Sequence, residues 1–251
     1  MNRTFHCTGR FVLVVSLLLA PTIFNMPLAA NGHANPRILP PQVKPYGKTY
    51  GAWGAEWWKW AVGIPAAENP ILDETGEFGT IDQAGPVWFL AGNFGGTTER
   101  TLVVPTGKAL FFPILTQFWG CPSPEERASL EEVARAYLGM DPAAVAALTD
   151  VDLMRLVIDA QMDSAISLSA TIDGVAVQDL AQYRAQSPVF AFEDLDLFGA
   201  EGECSPAVAD GYWLMVAPLP VGEHTIHFSG IIADAPLGPF ELDVTYHLIV
   251  R

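Results

Sequence analysis

The chain has few basic side chains, and this shortage limits what it can bind. Only 13 of its 251 residues are lysine or arginine, against 28 aspartates and glutamates, so the formal net charge is −15. A surface with this excess of negative charge repels phosphate backbones and anionic lipid headgroups. We therefore expect no nucleic acid partner.

Long apolar runs are also lacking, because nothing after residue 34 approaches the roughly 20 apolar residues that a membrane-spanning helix needs. At the N-terminus, Arg3 and Arg10 precede a short apolar run over 11–20, and small residues follow near position 30. This order is typical of a secretory signal peptide, which we predict over 1–34. We expect an exported protein without an integral membrane segment once the signal is removed.

Cysteine is scarce, with three in the whole chain. Cys7 falls in the predicted signal peptide, which leaves Cys121 and Cys204. Two cysteines in an exported chain are expected to pair, whereas their spacing fits no CxxC metal or redox motif. We predict a Cys121–Cys204 disulfide.

Complete catalytic motifs are absent from the sequence. There is no Gly-x-Ser-x-Gly elbow and no His-Glu-x-x-His pair, and Gly107-Lys108 lacks the other residues of a phosphate-binding loop. A hydrolase triad assembled from distant residues would have to use His224, His227 or His247.

Aromatic residues, by contrast, are concentrated in one short segment. Tyr46, Tyr50, Trp53, Trp57 and Trp60 are spaced four, three, four and three residues apart. This spacing places five rings on one face of a helix, which we predict from about Tyr46 or Gly47 to Val62.

The rest of the chain reads as strands interrupted by one helical stretch. Residues 35–45 form a proline-rich leader, and 46–251 are predicted to be a single β-rich domain with a helical insertion over 123–165. Within it, Asp173-Gly174 and the Pro105–Lys108 turn both predict hairpins. We predict a mainly β fold, an antiparallel β-sandwich with an N-terminal aromatic helix. An α+β layer with a single antiparallel sheet is the alternative.

The last strands show the clearest alternation. From Phe240 to Val250, even-numbered residues are apolar and face the predicted core, while Asp243 and His247 face outward. In a terminal hairpin, His227 would lie opposite or diagonal to His247, and two imidazoles near Asp243 are a ligand set for zinc, copper or iron. A divalent metal at His227, His247 and Asp243 is therefore one hypothesis, and histidines exposed beside acids are the alternative.

A second hypothesis concerns the aromatic residues as a ligand site. Indole faces stack on the C–H faces of sugars, and a nearby carboxylate accepts hydroxyl hydrogen bonds. The candidate residues are Trp53, Glu56, Trp57, Trp60, Trp88 and Trp119. A buried Glu56 would have a raised pKa and suit a general acid. The alternative interpretation is that the helix packs its rings onto a sheet and leaves Glu56 in solvent.

An acidic segment precedes the final strands. It predicts an acidic loop over 193–210, and its carboxylates suit calcium only if they converge, since calcium takes six to eight oxygen ligands. A solvated loop is the simpler interpretation. The acids are Glu193, Asp194, Asp196, Glu201, Glu203 and Asp210.

Three segments together resemble a group of exported bacterial proteins of uncharacterised function. They are Tyr46–Gly51 with the tryptophans that follow, Gly85–Gly92, and Pro105–Pro113. The resemblance implies a bacterial protein, secreted or periplasmic, and carries no activity or site residues. We expect a non-catalytic binding or structural protein, with a glycan or another ligand with an apolar face as its partner. A hydrolase or metalloenzyme using His227 and His247 is the alternative.

Overall fold

Strands dominate the computed structural model, which describes residues 35–195, 197 and 201–251. Strands account for 37% of the described residues and helices for 26%, so the protein is mainly β, as predicted. The predicted signal peptide lies outside the described residues.

The described chain begins with one α-helix, continues with three strands and three α-helices, and ends with six strands. The α-helices are α1 (Tyr50–Val62), α2 (Pro124–Ala136), α3 (Pro142–Ala146) and α4 (Asp150–Asp163). The strands are β1 (Val87–Phe89), β2 (Gly96–Val104), β3 (Ala109–Gly120), β4 (Ala165–Ile172), β5 (Val175–Ala176), β6 (Phe190–Leu195), β7 (Glu201–Val216), β8 (Gly222–Ile232) and β9 (Phe240–Val250). No described helix has the length and apolar character needed to cross a membrane.

Two sheets pack face to face, which confirms the sandwich. The first sheet has the order β1-β3-β7-β6 and the second the order β2-β9-β8-β4-β5. Between them Phe112 stacks on Phe228 with centroids 4.9 Å apart. Most pairs are antiparallel, but β1 runs parallel to β3 and β2 runs parallel to β9, so both sheets are mixed.

The terminal hairpin has the predicted faces. Gly222 lies opposite Val250 and Ile232 opposite Phe240, with no bulge between. Even-numbered residues from Leu242 to Val250 are buried, and Phe240 is half-buried. The Asp173-Gly174 hairpin is also present, because both residues adopt the positive φ that a tight turn between β4 and β5 requires.

The predicted hairpin at Pro105–Lys108 is wrong. The turn carries the chain from β2 in one sheet to β3 in the other. The physical reason lies in 109–115, where every side chain is buried. A strand that is apolar on both faces needs cover on both sides, and here α1 covers one face and the second sheet the other.

The predicted acidic loop over 193–210 is wrong as well. β6 and β7 pair across this segment, with Glu193 opposite Glu203 and Phe192 opposite Cys204. The Cys121–Cys204 disulfide is present, with Cα atoms 5.6 Å apart, and it ties the end of β3 to β7. Apolar residues and the cross-link therefore decide the structure here, while Glu193 and Glu203 stay exposed and Asp210 is buried.

Helix α1 is the predicted aromatic helix, but it begins at Tyr50. Thr49 caps it by accepting a hydrogen bond from Ala52 N–H at 3.2 Å, and Tyr46 has a positive φ that excludes it from the helix. The four tryptophans of α1 are all at least nine-tenths buried. Each indole N–H donates to a different partner, at Pro45 O, Leu90 O, Thr116 Oγ1 and Ile81 O over 2.9–3.1 Å.

Two glycines let α1 approach the first sheet closely. A methyl group at Gly51 would lie 1.8 Å from Gln186 O, and one at Gly54 would lie 2.9 Å from the Trp213 ring. On the sheet side, Phe111 stacks on Trp213 at 5.3 Å, and both rings contact α1 tryptophans. The helix therefore rests on rings and backbone with no room for a β-carbon at either glycine.

The predicted helical insertion forms between β3 and β4, and side chains cap its three helices. Ser123 and Glu126 make the capping box of α2, and Asp141 and Thr149 cap α3 and α4 through their side chains. Helix α4 contacts β7, where Tyr212 donates to Met162 O at 3.3 Å.

A buried arginine holds the long segment before β2 against the second sheet. Arg100 is 1% exposed. Its guanidinium donates hydrogen bonds of 2.6–3.3 Å to four carbonyls and a phenol oxygen, those of Asp73, Ala91, Gly92, Ile71 and Tyr246. Five partners compensate for the loss of water around a buried charge.

Asp73 organises the same segment through its carboxylate. Burial opposes its ionisation, but hydrogen bonds from Phe78 N–H and from the N–H and hydroxyl of Thr75 outweigh burial and lower the Asp73 pKa. Because the folded pKa lies below the unfolded one, ionised Asp73 stabilises the fold at neutral pH, and this contribution is lost as pH falls through the acid range.

We expect Gly51→Ala to destabilise the protein by about 2 kcal/mol or more, because overpacking against a backbone carbonyl cannot relax cheaply. Helix propensity alone would make the Gly51→Ala variant more stable than the wild type by about 1 kcal/mol. The sign of the change in unfolding free energy therefore distinguishes overpacking from helix propensity. Urea denaturation measures it. Gly92→Ala is the control, since its methyl would meet only Leu242 Cδ2 at 4.0 Å. Equal stabilities for the two variants would contradict the close approach of α1.

We expect Asp73→Asn to flatten the acid side of the stability profile. The free energy of unfolding of the wild type should fall more steeply between pH 5 and about 3 than that of the variant, because only the wild type loses the ionised carboxylate. Asp82→Asn is the control, as the Asp82 side chain is exposed and accepts no hydrogen bond from described residues. Parallel wild-type and Asp73→Asn profiles would refute this role.

Candidate functional site: an aromatic groove

An open groove of about 870 Å³ runs along the second half of β3. Residues 116–121 form one side of it, and residues 237–240 before and at the start of β9 face them. The groove exists because β1 pairs with β3 only from Ala109 to Phe111, after which the chain leaves toward β2. Its volume is in the range of small-molecule sites.

Aromatic rings make up much of the lining. Trp58 stacks on Phe118 with centroids 4.1 Å apart, and Phe118 meets Phe192 edge-on at 5.5 Å. Trp119 is half-buried and makes no ring contact or hydrogen bond with the described residues. The lining rings are Trp57, Trp58, Phe94, Phe118, Trp119, Phe192 and Phe240.

A few polar groups lie among the rings. Gln161 is almost fully buried and is held by Leu237 N–H and Gly238 O, while Gln117 and Asn93 are partly exposed. The charged residues of the lining are two exposed acids, Glu126 and Glu203, and no lysine, arginine or histidine is among the described lining residues. The groove is therefore apolar with negative charge at its edges.

The disulfide belongs to this site. Cys121 and Cys204 both line the groove. Next to them, a methyl group at Gly120 would lie 2.7 Å from Phe192 and 2.9 Å from Cys204 Sγ. The cross-link thus fixes the end of β3 where its backbone borders the groove.

The structure divides the predicted aromatic ligand residues. Trp57 and Trp119 line the groove. Trp53, Trp60 and Trp88 are enclosed in the core and do not line it, which agrees with the alternative interpretation of the helix as a packing element. A helical period identifies the buried face of α1. It does not identify Trp119, which lies on β3 and is half-buried at the groove.

Glu56 differs from the hypothesis of a buried general acid. It is about one-third exposed and pairs with Lys48 at 3.0 Å and Lys59 at 3.2 Å. Partial burial opposes its ionisation, but the two lysines outweigh burial and lower the Glu56 pKa. A carboxyl group that stays ionised at neutral pH does not donate a proton as a general acid.

The predicted metal ligands do not assemble. His227 lies diagonal to His247 in the hairpin, as one of the two predicted registers requires. However, His227 Nε2 meets Asp243 at 3.1 Å, whereas His247 Nε2 meets Glu99 at 2.6 Å. Within the described part of the chain, no three histidine, cysteine, aspartate or glutamate side chains are arranged to hold a metal ion. His227 and Asp243 therefore form one surface pair, and His247 forms another with Glu99.

The described acids of the acidic segment form no metal site either. Asp210 is 2% exposed and binds Arg184 at 2.8 Å, while Glu203 is exposed at the groove. Burial raises the Asp210 pKa, and Arg184 opposes that shift. Asp196 lies outside the described residues.

Sequence reasoning missed most of the groove. Strand β3 continues to Gly120 and carries Phe118 into the site. Thr116, Phe118 and Trp119 are residue types enriched in strands, a signal that could have predicted β3 as far as Gly120. Phe94 and Phe240 come from distant segments, and no local pattern connects them.

Comparison of the chain with protein-family models, curated proteins and solved structures finds no match. The resemblance to exported bacterial proteins accordingly stays a prediction. The function has to be inferred from the groove and its chemistry.

We expect the Cys121→Ser, Cys204→Ser double variant to lose about 4 kcal/mol of unfolding free energy. The disulfide closes a loop with a sequence separation of 83 residues, and the chain-entropy model gives this magnitude for such a loop. Urea denaturation of both proteins measures the loss, and chemical reduction of the wild type should reproduce it. An unchanged midpoint would mean that the cross-link does not stabilise the end of β3.

Proposed function

We propose that this is an exported, non-catalytic binding protein whose aromatic groove holds a glycan or another ligand with an apolar face. The observation that carries the proposal is the groove itself, in which seven aromatic rings surround a few amide groups. Rings supply stacking area, and scattered amides fix orientation through hydrogen bonds. The predicted signal peptide and the disulfide are consistent with export.

The hydrolase alternative has less support. His224, His227 and His247 each place a ring nitrogen against a carboxylate, and none hydrogen-bonds a serine or threonine hydroxyl in the described residues. A triad needs its histidine within hydrogen-bond reach of a nucleophile. No observation favours this second function over binding.

The test is a ligand screen read out by calorimetry, with neutral oligosaccharides and short peptides as probes. We expect Trp119→Ala to weaken binding of any ligand found by about tenfold, because loss of a stacking ring costs on the order of 1 kcal/mol or more. Trp119 is half-buried without described ring partners, so the variant should keep its fold.

Tyr46→Ala is the matched control, since Tyr46 is an exposed aromatic outside the groove. The control should bind as the wild type does. If both substitutions weaken binding equally, or if Trp119→Ala leaves the affinity unchanged, the binding site lies outside the groove. Binding by no member of the panel would count against a binding function for the groove.

A further inference from the structure

The aromatic groove carries negative charge without a base to neutralise it. Its described lining contains Glu126 at the start of α2 and Glu203 on β7, and no lysine, arginine or histidine. Both acids are exposed. The base that follows Glu126 in the sequence, Arg127, pairs instead with Glu131 at 3.1 Å and with Asp150. A cation in the groove would therefore meet two carboxylates that pair with no base in the described part of the chain.

Glu203 also faces a second carboxylate across the ladder. It lies directly opposite Glu193 on β6, and both side chains are exposed. Opposed side chains of an antiparallel pair start only about 5 Å apart, so two like charges there repel each other. A positive charge bound beside Glu203 would relieve this repulsion. The position therefore favours a cation more strongly than an isolated surface acid would.

The rings of the groove can also attract a cation. The π face of a tryptophan or phenylalanine draws a positive charge that lies within about 6 Å of the ring centroid, and tryptophan does so most strongly. Phe94 is 51% exposed and Trp119 is half-buried, so the lining includes rings that a ligand can reach. A neutral sugar would stack on the same rings but would gain no attraction from the net charge of the acids.

Hydrogen bonding separates a quaternary from a primary ammonium group. A primary ammonium has three N–H donors, and each needs an acceptor when the group leaves water. The most buried polar side chain of the described lining, Gln161, is already engaged. Its Oε1 accepts from Leu237 N–H at 2.9 Å, and its Nε2 donates to Gly238 O at 3.1 Å. A quaternary ammonium has no N–H, so aromatic rings can enclose it without leaving a donor unpaired.

We propose that the aromatic groove binds an organic cation, in which a quaternary ammonium group is attached to a neutral body. This inference rests on the proposed function and names the class of ligand. The rings attract the ammonium group through their π faces, and Glu126 and Glu203 attract its charge. The volume of about 870 Å³ leaves room for a body beyond the ammonium group. An anionic body is disfavoured, because the net charge of −15 repels it.

Three small probes test the class of ligand by calorimetry. Choline is the quaternary ammonium, neohexyl alcohol is its neutral isostere with carbon in place of nitrogen, and ethanolamine is the primary ammonium. We expect choline to bind at least about tenfold more tightly than either of the others. Raising the NaCl concentration from about 20 mM to about 500 mM should weaken the binding of choline and leave that of the isostere unchanged. Cellohexaose is the sugar probe.

Variants that remove charge test the two acids of the lining. Glu126→Gln and Glu203→Gln keep the side-chain size, and glutamine at 126 can still accept the Ser123 N–H that completes the capping box. We expect the double variant to bind choline about fivefold more weakly and neohexyl alcohol as the wild type does. The control is the double variant Glu125→Gln, Glu223→Gln, which removes two exposed acids outside the groove.

Each outcome separates the two proposals. A preference for choline that the lining variant reduces and the control variant does not supports the organic cation. Binding of cellohexaose without choline, equal affinities for choline and its isostere, or tighter binding of ethanolamine overturns the organic cation and leaves the binding function standing. Equal affinities of the two double variants for choline also overturn it, because the lining acids would then contribute no more than acids elsewhere. Binding of none of the probes overturns both proposals.

Discussion

The docking of α1 onto the first sheet is the constraint on which the remaining structure depends. The N–H groups of its tryptophans bond segments as far apart as Pro45, Ile81 and Leu90. Gly54 lets the helix contact Trp213 of the sheet, and Gly51 lets it contact the backbone of Gln186 before β6. The same docking places Trp57 and Trp58 at the groove, so one helix contributes to both the core and the candidate site.

The groove follows from a mismatch in strand length. β1 has three residues and β3 has twelve, so most of one β3 edge is left without a neighbour from β1. The space that β1 leaves is lined by aromatic rings, with Glu126 and Glu203 among the lining residues.

The features that the sequence predicted correctly are those that depend on the spacing of residues within one short segment. The alternating final strand, the aromatic helix and the cysteine pair were all confirmed. Choice of neighbour was not predictable, because a period of two fixes the face of a strand but not its partner. For this reason the pairing of β2 with β9 and the extent of β6 and β7 were missed. The groove was missed too, since it arises where distant segments end.

Hydrogen exchange of the backbone amides in α1 tests the central claim most directly. If this helix is part of the cooperative core, its amides exchange only on global unfolding, as slowly as those at the centre of β3 and β7. The account predicts protection of Trp57 and Trp60 amides equal to that of Phe112 and Leu214. Rapid exchange across α1, with both strands still protected, would contradict it.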